Sequence, residues 1–124
     1  MATVELTAGN FEPVIDGGGL VLLDFWAGWC GPCRMFAPVF ERASEQHPDA
    51  VFAKVDTEAQ PELAAGFEIS SIPTLMIIRD KIVLYKQPGA LPERALEQLI
   101  AKAREIDMDA VRASLATASD APGT

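Results

Sequence analysis

The sequence is short of cysteine, histidine and tyrosine, with 2 Cys, 1 His and 1 Tyr in 124 residues. Two cysteines three positions apart, Cys30 and Cys33, cannot frame a disulfide-stapled miniprotein, which needs more of them at longer spacings. Basic residues are a minority, 10 against 18 acidic, for a net charge of −8. That excludes the basic footprint of a nucleic-acid binder. No apolar run approaches the length of a bilayer span, so neither a transmembrane helix nor a membrane partner is expected. The opening MATVELTAGN has no basic n-region, no continuous apolar h-region and no small-residue cleavage site. It reads as something other than a secretory signal, and a cytoplasmic location is the expectation. Internal repeats and low-complexity blocks are also missing.

What is present is enough apolar material for one ordinary domain. Hydrophobic residues make up 49%, and a chain of this length buries roughly two-thirds of its unfolded surface. Val4 to Leu6 reads as a short strand. Thr7 is placed to cap a short helical segment carrying Phe11, Val14 and Ile15. Asp16-Gly17-Gly18-Gly19 is a break. Leu20 to Ala27 is apolar on both alternating faces except at Asp24, the pattern of a central strand covered on both sides. Pro32 suits the first turn of a helix running to about Gln46, with Phe36, Val39, Phe40 and Ala43 as its apolar stripe and Pro38 as a kink point. Ala50 to Val55 is a second central strand. Pro61 opens a short helix closed by Gly66. Leu75 to Arg79 and Ile82 to Lys86 read as strands joined at Asp80-Lys81. Pro92 starts a long helix with Leu96, Leu99, Ile100 and Ala103 buried. The order β, α, β, α, β, α, β, β, α predicts a mixed sheet with helices on both faces. Met108, Val111 and Leu115 suggest a further amphipathic turn or two, and residues 116–124 a frayed tail.

Cys30-Gly31-Pro32-Cys33 carries the chemistry. Cysteines at i and i+3 around a helix start share a face and lie within disulfide range. The thiolate is the nucleophile, and the free N–H groups of a helix N-terminus favour negative charge. Cys30, at the helix end, is the expected attacker, and Cys33, one turn in, the resolving thiol. Gly31 lets a substrate backbone approach. Pro32 lacks only an N–H that a helix start leaves unpaired. A structural disulfide closing so small a loop contributes about 2 kcal/mol and is poorly kept in a reducing compartment. A zinc site needs about four ligands, and only His47 stands ready beside the two thiols, so no metal is expected.

Asp24 is the second informative residue. A carboxylate inside an apolar strand is costly, and burial without a partner raises its pKa. Strand alternation lets it face the helix that carries Cys33, where it would take up and return a proton during thiol–disulfide exchange. The competing reading is a structural Asp at the sheet surface or paired with a lysine. Lys54, in the neighbouring strand, either modulates the Asp24 charge or is a solvated strand-end lysine. Ser70-Ser71-Ile72-Pro73-Thr74 precedes an apolar strand, and sequence alone does not give the isomer of the Pro73 peptide bond.

The segment Asp24-Phe25-Trp26-Ala27-Gly28-Trp29-Cys30-Gly31-Pro32-Cys33-Arg34 resembles the active-site segment of the thioredoxin family. Phe52-Ala53-Lys54-Val55-Asp56 resembles the family's third strand, Ile72-Pro73-Thr74-Leu75 its cis-proline loop and Gly89-Ala90 its late glycine loop. Order and spacing agree over about residues 4 to 104. The resemblance implies an α/β thioredoxin fold: a mixed sheet of about five strands and four helices, spanning residues 1–104, with a partly helical C-terminal extension over 105–124. It implies reduction of target-protein disulfides. Cys30 would attack and Cys33 resolve, with Asp24 as buried acid–base group and Lys54 modulating it. Pro73 would be cis, and Trp29, Gly31, Pro32, Ile72, Pro73, Gly89 and Ala90 would form the docking surface. It implies no bound cofactor, with electrons arriving from NADPH through a flavin-dependent thioredoxin reductase. The expected partners are that reductase and proteins with reducible disulfides, and the expected state is a monomer. The alternative is a co-chaperone or binding module acting through the groove or the extension.

Several positions depart from the family pattern. Gly28 replaces a frequent polar or acidic residue, and Ser70-Ser71 a frequent Arg/Gly-type pair. Lys81 stands where a hairpin glycine is usual, which predicts a strained turn or one of another type. Pro88 precedes the late glycine. From Glu105 onward one basic residue, Arg112, stands against Glu105, Asp107, Asp109 and Asp120, leaving −3.

Overall fold

The computed structural model describes residues 2–119. In chain order the elements are β1 (Thr3–Glu5), α1 (Phe11–Asp16), β2 (Leu20–Trp26), α2 (Gly31–Gln46), β3 (Val51–Asp56), α3 (Pro61–Gly66), β4 (Thr74–Arg79), β5 (Ile82–Pro88), α4 (Glu93–Glu105) and α5 (Met108–Ser119). The five strands form one sheet in the order β1-β3-β2-β4-β5. β1, β3 and β2 run parallel, and β4 and β5 add antiparallel at the other side. Helical crossovers account for the parallel half; β4, reached through α3, lies antiparallel to β2, and a hairpin adds β5.

β2 is central and buried along all but its last residue. Its even residues Leu20 and Leu22 pack with Phe36, Phe40 and Ala43 of α2 and Leu96, Ile100 and Ala103 of α4. Its odd residues Val21, Leu23 and Phe25 pack with Phe11, Val14 and Ile15 of α1, Leu63 of α3 and Phe67. A strand covered on both faces needs apolar residues at every position, which is what the nearly unbroken run supplies. α2 passes through Pro38 as one element. Pro38 lies on the exposed side, away from the stripe that meets the sheet.

Local expectations change at three places. Thr7 does not cap α1; the N-cap residue is Asn10, without a side-chain cap bond. Instead Asn10 Oδ1 accepts from the Thr7 backbone N–H at 2.7 Å, and Thr7 Oγ1 accepts from the Gly9 N–H at 3.2 Å. These bonds close a turn that delays the helix to Phe11. In the β4–β5 hairpin both Asp80 and Lys81 have positive φ, 52° and 69°. That is the type I′ signature, adopted here without a glycine.

The third change is the extension, which is helical from Met108 to Ser119 rather than for a turn or two. The described residues therefore hold a fifth helix. Met108 is buried, Val111 half-buried, and Arg112 Nη1 lies 3.5 Å from Asp80 Oδ2. The stripe 108, 111, 112, 115 thus runs onto the body and over its rim, leaving Leu115 49% exposed. Of the expected frayed tail, residues 116–119 are helical, and residues 120–124 lie outside the described residues.

Candidate active site

β2 delivers the chain to the mouth of the sheet, and α2 begins within a few residues. Cys30 is the N-cap residue of α2 with extended backbone, φ −87° and ψ 114°, and its Sγ accepts from the Cys33 N–H at 3.2 Å. A sulfur therefore does what Ser or Asp does at an ordinary helix start. Cys30 and Cys33 are joined as a disulfide with Cα atoms 5.2 Å apart. Both are nearly buried and pack with Ala27, Trp26 and Ile72. Gly31 and Pro32 between them are exposed. A Cβ on Gly31 would meet open space, so this backbone is approachable from outside.

The Ile72–Pro73 peptide bond is cis. Pro73 is buried, and its carbonyl accepts from the Gly89 N–H at 2.8 Å. Gly89 has φ 119°, a region in which a side chain is strained, so the tie between these loops needs glycine there. The Ile72 carbonyl oxygen lies 3.7 Å from Cys30 Sγ. The expected groove residues Trp29, Gly31, Pro32, Ile72 and Pro73 are thus gathered round one sulfur. Gly89 joins through its bond to Pro73, and Ala90 follows it on the surface.

Asp24 is completely buried. It shares the face of β2 that α2 covers, the side to which Cys33 belongs. Among the described residues neither carboxylate oxygen has a hydrogen-bond partner. Burial pushes the carboxyl up to about 7, while the Lys54 ammonium pulls the other way. Desolvation wins because the lysine is beside Asp24 in the parallel register yet makes no ion pair with it. Its Nζ lies over the Trp26 ring, 5.0 Å from the centroid. A carboxyl poised near neutrality exchanges a proton in the working pH range.

Two residues here had no place in the sequence reading. Glu58 accepts a 2.6 Å hydrogen bond from Trp29 Nε1. Met35 is 73% exposed, close in sequence to the 69% exposed Trp29. One signal for Met35 was its omission from the apolar stripe of α2: a large apolar residue off the buried face must meet solvent or a partner. Gly28 is not sterically required, since a Cβ there would meet nothing.

A family model described as thioredoxin matches residues 2–102. "Putative thioredoxin 2" of Streptomyces coelicolor is 59% identical over 115 residues, covering 93% of this chain and 86% of that protein. A thioredoxin of Alicyclobacillus acidocaldarius is 45% identical over 101 residues, covering 81% of this chain and 96% of its own. The solved structure of a mutant thioredoxin from Halobacterium salinarum superposes with a TM-score of 0.78 at 33% identity, covering 85% of this chain and 93% of that one. A helix-capping dithiol pair beside a cis-proline loop, in a chain this similar to thioredoxins over most of its length, fixes the assignment. The chain belongs to the thioredoxin family and is a dithiol–disulfide oxidoreductase.

Proposed function

We propose that Cys30 attacks the target disulfide and Cys33 resolves the product. The observation that carries this reading is the position of Cys30 Sγ, on the α2 N-terminus and against the Ile72 carbonyl. A target strand laid along Ile72 would pair with that backbone and bring its own sulfur to Cys30. The Cys30 thiolate then displaces one target sulfur, which leaves as a thiolate, and a mixed disulfide forms. Cys33 loses its proton to the Asp24 carboxylate and attacks Cys30. The second target thiolate departs, and the Cys30–Cys33 disulfide is left. Two electrons pass from the protein to the target. Lys54 acts through Asp24, holding its charge against desolvation. Trp29, Gly31, Pro32, Ile72, Pro73, Gly89 and Ala90 form the surface on which the target rests.

A flavin-dependent thioredoxin reductase restores the dithiol with electrons from NADPH, and no cofactor stays on the chain itself. The protein works as a monomer in the cytoplasm. The extension that begins at Glu105 serves as packing for the domain rather than as a separate binding module. The burial of Met108 and the approach of Arg112 to Asp80 support this.

Trapping tests the assignment of roles. Cys33→Ser should freeze mixed disulfides on Cys30 when offered oxidised target proteins, and Cys30→Ser should trap none. NADPH and a thioredoxin reductase should drive reduction of insulin disulfides by the unaltered protein. Captured adducts on Cys33 instead of Cys30 would overturn the assignment.

A further inference from the structure

Trp29 is the most prominent side chain beside Cys30, and it is tethered. Its indole donates to Glu58 Oε1. Glu58 is itself placed by Asp56, whose Oδ1 accepts from the backbone N–H groups of Glu58 at 2.9 Å and Ala59 at 3.4 Å. A trough of about 200 Å3 runs beside the indole, with Ala64, Ile69 and Ile72 as its apolar wall and Thr57, Ser70 and Ser71 as its polar one. Its Ile72 end is the end that reaches Cys30 Sγ. Ser70 and Ser71 are exposed, so their hydroxyls remain open to a visitor. Among the described residues no charged side chain lines the trough itself, and the charge tied to its wall is Glu58, through the Trp29 indole.

We propose that Glu58 is a specificity-determining residue, and that the trough selects target disulfides flanked by lysine or arginine. The inference rests on the dithiol reading above and adds the class of target. A basic side chain entering the trough meets the indole face and the two serine hydroxyls, with the Glu58 carboxylate outside the lining, at the Nε1 edge of the same indole. An ammonium or guanidinium over an aromatic ring is attracted by the ring as well as by the anion. An acidic flank meets Glu58 and is repelled. The exchange step itself needs none of this, so the effect falls on choice of target.

The test uses three disulfide peptides identical except for one residue beside the cysteine: Lys, Ser or Glu. With the full chain and a reductase, kcat/KM should favour Lys over Glu about fivefold at low ionic strength, with Ser between. The ratio should shrink in about 0.5 M salt. Glu58→Gln keeps an acceptor for the indole and removes the charge, and should bring the ratio close to one. Glu58→Asp, which retains the charge, should preserve most of it. Equal rates for the three peptides, or a Lys preference that survives Glu58→Gln, overturns the assignment of Glu58 while leaving the dithiol chemistry standing. Failure to reduce any of the three overturns both.

Discussion

At the end of the sheet that carries Cys30, Asp24 is fully buried with neither oxygen bonded. At the opposite end, Arg79 Nη1 donates to the carbonyls of Ala103, Arg104 and Ile106 at 2.9, 3.2 and 2.9 Å. Both are charged residues in central strands of one sheet. Arg79 satisfies the last carbonyls of α4, the role a glycine C-cap or a terminal lysine usually fills. Around it Arg104 grips Asp49 at 2.6 and 3.0 Å, His47 Nε2 lies 2.7 Å from Glu97, and Arg112 reaches Asp80. One end pairs its charges and holds the elements together. The other leaves a carboxyl unpaired, a tryptophan exposed and a cis-proline loop against a sulfur. Stability is made at the first end and given up for reactivity at the second.

The sharpest break in that contrast is chemical. Cys30→Ser should abolish reduction of insulin disulfides while matching the thermal transition of the reduced parent, the oxidised parent being higher by the small-loop disulfide's roughly 2 kcal/mol; residual activity near that of the unaltered protein would remove Cys30 from the attacking role.

Asp24→Asn should come next in size. The folded-state pKa of about 7 lies above the ordinary 3.8. Below about pH 4 the group is protonated in both states and costs nothing by charge. As pH rises from about 4 to 7 the unfolded chain sheds the proton first, so native stability falls, and the loss is complete above about 7. The Asn variant should therefore be more stable than the parent by on the order of 3 kcal/mol at pH 8, with the gain fading toward pH 4. Denaturant titrations across that range read it directly. The same variant should resolve mixed disulfides more slowly. A gain that does not depend on pH would detach Asp24 from the reactive end.

At the paired end, Arg79→Met should lower stability by about 2 kcal/mol, because three carbonyls lose a charged donor. The exchange rate at Cys30 should not change. If it did, the two ends would not be separable.

Smaller effects should follow at the β4–β5 turn. Lys81→Gly relieves a positive φ that a lysine adopts at a cost, and should raise stability by about 1 kcal/mol. Arg112→Ala, which removes exposed contacts to Asp80 and Asp109, should cost less than about 1 kcal/mol. A large loss would show that α5 is anchored by charge rather than by Met108.

Much of this was legible in the residues. Asp24 stood out because a carboxylate interrupts an apolar run, and the run itself announced a strand covered on both faces. Cys30 and Cys33 declared themselves by spacing and by Pro32. Thr7 misled because a capping residue type also closes turns, and the Asn10 side chain decided between the two. Glu58 gave no signal, since one glutamate among 18 acidic residues acquires meaning only from an indole 29 positions away. Arg79 was silent for the same reason. In the sequence it is marked only as the end of the Leu75 to Arg79 strand.

Residue order alone was enough for the nine elements before α5, for the reactive pair and for marking Asp24 as exceptional, because periodicity and local backbone preference act over a few residues. The cis Ile72–Pro73 bond, implied by the family resemblance but not by the residues themselves, is set by the assembled fold, as are the 3.7 Å approach of the Ile72 carbonyl to Cys30, the tether of Trp29 to Glu58 and the docking of α5. Most of these join groups far apart in the chain, and their energies exist only after the sheet has brought them together.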